Sequence, residues 1–413
     1  MNMRKIFFWG ISLLLSNSLF AQRECGSFEY RNRLIQIDPT IQNCQTAVEN
    51  FINLHILSNA KTQQLKRIII PVIVHVLYHY SSENIPDNLV KSQITALNRD
   101  FRKQNADTIK IPAAFKSAAA DCGIEFQLAT VDTSGRATSG ILHKYTPIVN
   151  WSMNDKIKFS SEMGDDAWDS KSYLNIWVGT LDKLVGYSSI PGGPPNKDGI
   201  VISNRAFGIT NYGIYDQGRT AVHEVGHWLG LRHLWGDADC GDDGIADTPK
   251  QETFTNGCPS GIRPACDNSP NGVMYMDYMD FTNDDCLVMF TEGQKQRMRS
   301  LFEQDGPRYS ILSSNGLSAP TIEQIPIPDT PPQWLHVKIY PDPAANELTV
   351  NVAFDERWIG KELQVINLSG QVEIRQTITS KIHKLNISKL KPGLYFIRAA
   401  KDGDKILEKF IKL

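Results

Sequence analysis

The chain has 413 residues, of which 41% are hydrophobic and 21% are charged. This composition supplies packed cores and excludes a mostly disordered or collagen-like chain. Because ordinary domains have roughly 100 to 200 residues, two or three folded units are expected. The formal net charge of −2 gives no electrostatic reason to expect a nucleic-acid partner.

The first 21 residues have the pattern of a secretory signal peptide. A short basic start is followed by the apolar run 6–15 and then by the small residue Ala21. This run is shorter than the ~20 residues that a membrane span needs, and no later segment predicts a span. Export places the seven cysteines where disulfides persist, and an odd number leaves at least one thiol over.

Residues 22–67 form a polar leader with a weak helical pattern. An apolar, β-rich run at 68–77 then predicts a buried strand. After Pro86, apolar residues recur at helical spacing and predict a helix over 89–101. Further strands are predicted at 124–131, 174–178 and 199–203, and a further helix at 219–229. Together these elements predict a mixed α/β domain over residues 68–312.

The C-terminal part of the chain predicts a separate unit. Residues 313–333 contain five prolines and little periodic apolar content, which predicts an extended linker. In residues 334–413, apolar and polar residues alternate in short runs that are separated by Gly or Asn turns. About 80 residues of that pattern predict a small β-sandwich.

The stretch from His223 to His233 carries the chemistry. On a helix, His223 and His227 lie on one face and can direct two imidazoles at one ion, while Glu224 lies near any water on that ion. Gly230 tolerates a positive φ, so the chain can turn and return His233 as a third ligand. Three neutral nitrogens with a fourth position open are the ligand set of a catalytic zinc, where water becomes acidic near neutral pH.

HExxHxxGxxH is the zinc signature of the metzincins, and the flanking GRTAVHEVGHWLGLRHLWGD resembles the pappalysin-type metzincins, or cytophagalysins. The resemblance covers most of residues 68–302 and includes LNIWVG, DDGIADTP and MDFTNDDCLVMFTEGQKQRM. It implies an α/β (α+β) catalytic domain with a mixed twisted sheet and a methionine turn below the zinc ligands. Met279 matches that methionine by spacing, with Met276 as the rival. Phe281 stands where the family often has tyrosine, and Tyr278 is a poor substitute by register.

The resemblance implies a secreted zinc endopeptidase that hydrolyses protein or peptide substrates and is made as a zymogen. Glu224 would be its general base, taking a proton from the attacking water and passing it to the leaving amine. The activation cut is predicted at Lys66-Arg67, directly before the first strand. The alternative is a surface adhesin whose metalloprotease-like domain is catalytically idle. Glu224 weighs against the adhesin, because a binding protein needs no general base.

Four cysteines follow the zinc helix at spacings similar to those of the family, which implies the pairs Cys240-Cys266 and Cys258-Cys286. The residues alone allow three pairings, or a second metal held by four thiolates. Cys25, in an RECG motif, resembles the cysteine whose thiolate occupies the open zinc position in latent family members. A disulfide between Cys25 and Cys44 is the alternative, and Cys44 and Cys122 are otherwise free or paired.

Acidic residues crowd the loop after His233, where Asp237, Asp242, Asp243 and Asp247 are followed by Thr248. They offer the oxygen ligands that calcium prefers, and the resemblance implies calcium at Asp243 and Thr248. A solvated acidic loop is the alternative. Asp285 falls where the family lines its S1′ pocket, so Arg or Lys is expected in P1′. The alternative is that Asp284 and Asp285 are only turn residues.

The C-terminal domain carries IYPDPAANELTV, INLSGQ, ISKLKPGLYFIRA and a basic end, KFIKL. These segments resemble the sorting domain of the type IX secretion system of Gram-negative Bacteroidetes, with Asp342 in place of the more usual Asn. The resemblance implies export across the outer membrane to the cell surface or the medium, with the type IX machinery as a partner. A carbohydrate- or protein-binding sandwich is the alternative.

Overall fold

The computed structural model describes residues 25–59, 67–210, 213–321, 337–353, 358–401 and 404–413. The predicted signal peptide, Lys66 of the predicted activation site and residues 322–333 of the predicted linker lie outside the described residues. No helix in the described part of the chain is long and apolar enough to cross a membrane.

The leader and the catalytic domain contain helices α1 to α5 and strands β1 to β6. The helices are α1 (Ser27–Ile37), α2 (Thr40–Asn59), α3 (Asp87–Phe101), α4 (Arg219–Trp228) and α5 (Glu292–Ser300). The strands are β1 (Ile68–Tyr78), β2 (Ile124–Leu128), β3 (Ile141–Tyr145), β4 (Leu174–Gly179), β5 (Gly186–Ser188) and β6 (Ile200–Ser203). The weak helical pattern of the leader therefore corresponds to two helices, α1 and α2.

Strands β1 to β6 form one mixed sheet in the order β2-β1-β4-β6-β5. Strand β2 pairs with the N-terminal half of β1, and β3 pairs with its C-terminal half. These pairings are parallel, as are β1 with β4 and β4 with β6, whereas the edge strand β5 runs antiparallel to β6. This mixed sheet confirms the predicted fold class. Strand β5 has only three residues, too few for a periodic pattern, and the sequence did not predict it.

Helix α4 lies in the centre of the catalytic domain, and all ten of its residues are buried. Val222, Val225 and Trp228 of α4 share one apolar core with Leu97 of α3 and Val178 of β4. Burial of apolar side chains from helix and sheet holds the zinc motif in place, because each such side chain contributes about 1.5–3 kcal/mol.

The C-terminal domain contains strands β7 to β13, which form two antiparallel sheets. The strands are β7 (Lys338–Tyr340), β8 (Glu347–Asn351), β9 (Glu362–Asn367), β10 (Val372–Thr377), β11 (Ile382–Asn386), β12 (Gly393–Lys401) and β13 (Asp404–Lys412). One sheet has the order β10-β9-β12-β13 and the other has the order β11-β8-β7. Leu348, Val350, Val365 and Ile397 are completely buried between them. This arrangement confirms a small all-β domain.

The segment after Leu312 still contacts the catalytic domain. The Thr130 N–H donates to the Gly316 carbonyl at 2.8 Å, and the Thr321 N–H donates to the Gly135 carbonyl at 3.0 Å. Residues up to 321 therefore lie along the catalytic domain, and the domain boundaries taken from the sequence stay predictions.

Candidate active site

Helix α4 carries the first two histidines and ends in a turn that carries the third. The Asp284 carboxylate accepts from the N–H groups of Gln217 and Arg219, which places a negative charge at the N-terminus of α4. At the C-terminus, Gly230 adopts a φ of 82°. The Leu231 N–H reaches back to the Gly226 carbonyl at 2.9 Å. This glycine-centred ending turns the chain so that His233 points back at the helix.

The three histidines converge through their Nε2 atoms. His223 Nε2 and His227 Nε2 lie 3.1 Å apart, and His233 Nε2 lies 3.3 Å and 3.1 Å from them. Each Nδ1 atom faces an acceptor instead: the Tyr278 carbonyl for His223, the Leu231 carbonyl for His227 and the Asp237 carboxylate for His233. An acceptor at Nδ1 fixes the tautomer that leaves Nε2 able to bind a metal. Burial, and then the charge of His233, lower the pKa of His227 to about 3, so this imidazole is neutral.

Cys25 completes a four-donor cluster with these histidines. Its Sγ lies 3.5 Å from His227 Nε2, and the donor atoms of all four residues lie within 4.8 Å of one another. A tetrahedron with Zn–N bonds of about 2.05 Å and a Zn–S bond of about 2.3 Å separates its nitrogens by roughly 3.3 Å and places the sulfur roughly 3.6 Å from each. The donor set therefore fits zinc. Within the described residues, no other group of three or more His, Cys, Asp or Glu donors meets this geometry.

Leader residues beside Cys25 lie along the edge strand β5 and reach the general-base candidate. The Gly26 N–H donates to the Gly186 carbonyl at 3.0 Å. The Ser27 hydroxyl accepts from the Ser188 N–H at 2.9 Å and donates to Glu224 Oε2 at 2.8 Å. The sequence did not predict a role for Ser27, because its contact with Glu224 joins positions 197 residues apart and has no local pattern.

Met279 lies directly below the zinc helix. A Cβ atom added at Gly226 would meet Met279 Sδ at 2.5 Å, so the sulfur packs against this glycine. Met276 is also buried, but its carbonyl is paired with the Val288 N–H in a neighbouring turn. This geometry supports Met279 over Met276 as the residue of the methionine turn, a role that stays a prediction.

Two aromatic residues beside the methionine occupy different places. The Phe281 ring lies 4.9 Å from the His233 ring and 4.9 Å from the Trp235 ring, so it forms an apolar wall of the metal site. Tyr278 is fully buried and packs against Phe290 and Arg219. These contacts place the Tyr278 ring in the core beside helix α4.

All seven cysteines lie in the described part of the chain. Disulfides join Cys240 to Cys266 and Cys258 to Cys286. Cys25, Cys44 and Cys122 are free, with Cys44 exposed and the other two buried. The two disulfides staple the long loop between His233 and the methionine turn, where strands and α-helices are absent from the described residues.

The acidic residues of the loop after His233 have different hydrogen-bond partners. Asp243 accepts from the Ile245 N–H at 3.0 Å and from the Thr248 hydroxyl at 2.9 Å. Asp247 instead accepts from the Thr291 hydroxyl and the Gly293 N–H at the start of α5. Burial raises the pKa of Asp243 to about 7, although hydrogen bonds from Ile245 and Thr248 oppose it. Asp243 and Thr248 thus offer adjacent oxygens.

Asp285 lies near the N-terminus of α4. Its carboxylate is exposed and contacts the Gln217 side-chain amide. Burial, followed by the charges of Asp284 and Asp285, raises the pKa of Asp216. Asp285 and Asp216 therefore place carboxylates at this end of the zinc helix, where Lys110 Nζ also donates to the Asp285 carbonyl at 2.9 Å.

The mixed sheet, the histidine helix with its glycine turn and the methionine beneath them define a metzincin-type metallopeptidase. The chain belongs to peptidase family M43, whose sequence model, described as pregnancy-associated plasma protein-A, matches residues 158–303. A model of the secretion system C-terminal sorting domain matches residues 338–413. These matches confirm the predicted metallopeptidase and the predicted type IX sorting domain.

Solved structures of mirolysin from Tannerella forsythia are similar to this chain. A promirolysin variant is 45% identical, with a TM-score of 0.65 over 70% of this chain and 97% of that chain. Mature mirolysin in complex with a cleaved peptide is 47% identical, with a TM-score of 0.59 over 60% of this chain and 97% of that chain. The similarity thus extends to both a proenzyme and a mature enzyme.

Fungal proteins named extracellular metalloprotease are also similar. One from Arthroderma gypseum is 27% identical over 301 residues, covering 70% of this chain and 87% of that protein. One from Arthroderma benhamiae is 31% identical over 245 residues, covering 56% of this chain and 76% of that protein. With the sorting domain, these relatives confirm a secreted or cell-surface location.

Proposed function

We propose that the protein is a secreted zinc endopeptidase that uses Glu224 as its general base and that its leader keeps latent. The observation that carries this proposal is the convergence of His223, His227 and His233 with Cys25 in a zinc-compatible cluster, while Ser27 of the same leader contacts Glu224. Zinc, when bound, polarises the scissile carbonyl and acidifies water. Glu224 takes the proton from that water and delivers it to the leaving nitrogen.

Latency follows from two contacts of the leader. The Cys25 sulfur fills the fourth donor position, which the attacking water needs. Ser27 meanwhile donates to the Glu224 oxygen that would accept the proton of that water. Burial, and then the charge of Glu224, raise the pKa of the Cys25 thiol, so a thiolate at this place depends on a cation. The leader therefore engages the metal position and the base together.

We further propose that Asp285 favours Arg or Lys in P1′. The exposed Asp285 carboxylate and the nearby Asp216 and Asp284 supply negative charge at one end of α4, where a cationic side chain gains a charge-assisted hydrogen bond. Asp285→Asn should lower the ratio of P1′ Arg cleavage to P1′ Met cleavage by roughly tenfold. The exposed Asp239→Asn variant is the control, and an unchanged ratio in Asp285→Asn would remove this role.

Calcium is proposed at Asp243 and Thr248. The Thr248 hydroxyl lies within hydrogen-bond distance of both the buried Asp243 carboxylate and the Ile245 carbonyl, and a hard cation would compensate the buried charge. Thermal unfolding with zinc held saturating should shift upward with calcium, by about 2.7 kcal/mol at a hundredfold excess over Kd. Asp243→Asn should abolish the shift, whereas the exposed neighbour Asp242→Asn should keep it. A calcium shift of equal size in Asp243→Asn would place the ion elsewhere.

The decisive experiment is mass-spectrometric profiling of a peptide library with protein freed of its leader. Glu224→Gln should lower turnover on the order of 10²- to 10⁴-fold while zinc content stays the same, and chelation should abolish turnover. Glu252→Gln, at an exposed glutamate, is the matched control. Turnover that survives in Glu224→Gln would refute the general base. Folded, zinc-loaded protein that cleaves no peptide would favour the surface adhesin instead.

A further inference from the structure

Glu49 of helix α2 is the leader's ion-pair partner for two arginines of the catalytic domain. Arg297 Nη2 contacts the Glu49 carboxylate directly, and Arg232 Nη2 lies 3.2 Å from the same Oε1 atom. Arg297 Nε also donates to the Gly230 carbonyl at 2.6 Å. The Arg297 side chain is only 3% exposed and that of Arg232 is 39% exposed. Two guanidinium groups thus converge on one carboxylate beside the glycine turn of the zinc motif.

A cavity of about 270 Å³ connects this ion pair with the metal site. Glu49 and Arg232 line one part of it, and Ser27 and His227 line another. Leader residues contribute much of the lining, so the space widens when the leader leaves. An extended peptide that reaches the metal site through this space passes Arg232 and the place of Glu49, the carboxylate that also contacts Arg297.

The arginines and Asp285 lie at opposite ends of α4. Asp285 contacts Gln217, just before the helix starts, whereas Arg297 contacts Gly230, just after it ends. The ten residues of α4 separate these ends by roughly 15 Å. If Asp285 receives the P1′ side chain, the arginines lie on the non-primed side of the scissile bond.

We propose that Arg232 and Arg297, once the leader has left, bind an acidic side chain on the non-primed side of the substrate. The inference rests on the proposed endopeptidase function and specifies its substrate class: peptides that combine an acidic residue before the scissile bond with a basic residue after it. Glu49 occupies this subsite in the latent protein. Removal of the leader takes away the carboxylate that pairs directly with Arg297 and Arg232, and a substrate carboxylate restores that charge-assisted contact.

Neighbouring carboxylates act on the two arginines only through charge, Asp242 on Arg232 and Asp243 on Arg297, and their hydrogen bonds go to other partners. Asp237 accepts from His233 Nδ1, and Asp242 pairs with Lys250 at 3.2 Å. Asp243 accepts from Ile245 and Thr248. The pKa of Glu49 is lowered although its burial alone would raise it, because the hydrogen bond and charge of Arg297, with the charge of Arg232, outweigh burial. The subsite thus favours a charged carboxylate over a neutral amide.

The test compares peptides that share Arg in P1′ and differ only by Glu or Gln at one of the positions P2 to P5. With leader-free protein, kcat/KM should be roughly tenfold higher for Glu at one of these positions, and the preference should shrink as ionic strength rises. Arg232→Gln should reduce the Glu-to-Gln ratio severalfold. The matched variant Arg263→Gln, at an exposed arginine, should keep the wild-type ratio.

Binding of the same peptides to leader-free Glu224→Ala protein, measured by fluorescence anisotropy, gives a readout without turnover. Tighter binding of the Glu peptide that Arg232→Gln weakens would support the subsite even if cleavage failed for another reason. Equal kcat/KM and equal Kd for Glu and Gln peptides at every position would overturn the proposal. That outcome differs from failure of the endopeptidase function, in which none of the peptides is cleaved.

Discussion

Helix α4 supplies its side chains to the active site from within the core, whereas the leader contacts the site from the opposite, outer side. Val222 and Val225 of α4 belong to the main apolar core, and Met279 supports the helix from below. The leader instead reaches the site through Cys25 and Ser27, and it is anchored farther away by ion pairs and by apolar side chains such as Ile52 and Tyr30. Under the proposed function, α4 is thus the permanent part of the site, and the leader is the part that is removed on activation.

Among changes in the leader, the largest effect is expected from Cys25→Ser in the full-length chain. The serine hydroxyl is a poorer zinc ligand than a thiolate, so the leader should lose about 2.7 kcal/mol of affinity and activity before processing should rise roughly a hundredfold. Initial rates on a quenched peptide measure this. Cys44→Ser, at an exposed free thiol, is the control. If Cys25→Ser is as inactive as Cys44→Ser, the sulfur is not the main restraint.

The pH dependence of stability tests the buried carboxyl of Asp280, next to Met279 in the permanent part of the site. Burial raises the pKa of Asp280 to about 6, although hydrogen bonds from Thr255 and Gln251 oppose it. Because the folded pKa lies above the unfolded value, stability from this proton is complete below about pH 4 and is lost as the pH rises through about 6. This contribution of up to about 3 kcal/mol disappears over the window, so wild type should lose that much more stability than Asp280→Asn does.

Denaturant midpoints between pH 4 and pH 7 measure the difference. The exposed Asp239→Asn variant should keep the wild-type profile. An Asp280→Asn profile as steep as that of wild type would show that another group titrates in this window.

Gly226→Ala tests how tightly Met279 supports the helix. The new Cβ would lie 2.5 Å from Met279 Sδ, so unfolding free energy should fall by about 2 kcal/mol. A double-mutant cycle with Met279→Ala isolates the clash, because the alanine removes the opposing sulfur. Additive losses in the double mutant would mean that Gly226 and Met279 do not oppose each other.

The sequence indicated the local geometry of the site far better than the contacts that join the leader to it, with Cys25 as the exception. His223, His227 and His233 were predictable because helical spacing and one glycine determine where they point. Ser27 and the Glu49 ion pairs were not, because they join segments far apart in the chain and follow no periodicity. Asp237 shows that composition alone does not assign a contact. The sequence grouped it with the other oxygen donors of the acidic loop, whereas in the structure its carboxylate accepts from His233 Nδ1.

The strands also differ in how well the sequence predicted them. Strand β1 was predictable because it is buried along almost its whole length and reads as one apolar run. Strand β5 was not, although it is the edge along which the leader lies. Its three residues become a strand only through pairing with β6, which is a tertiary effect.

The smallest effect is expected from Tyr30→Phe in the leader. The Tyr30 hydroxyl donates to Asp155 Oδ1 at 2.7 Å and accepts from Lys158 Nζ at 3.2 Å. Loss of the hydroxyl should weaken the packing of the leader on the catalytic domain by only about 1 kcal/mol. The ring still fills its apolar site, and Lys158 keeps Asp155 as a partner. Amide exchange in α1 should then speed up roughly fivefold, whereas β1 should exchange as in wild type. Equal acceleration in β1 would mean that the leader is part of the core fold, and the division between permanent and removable parts would fail.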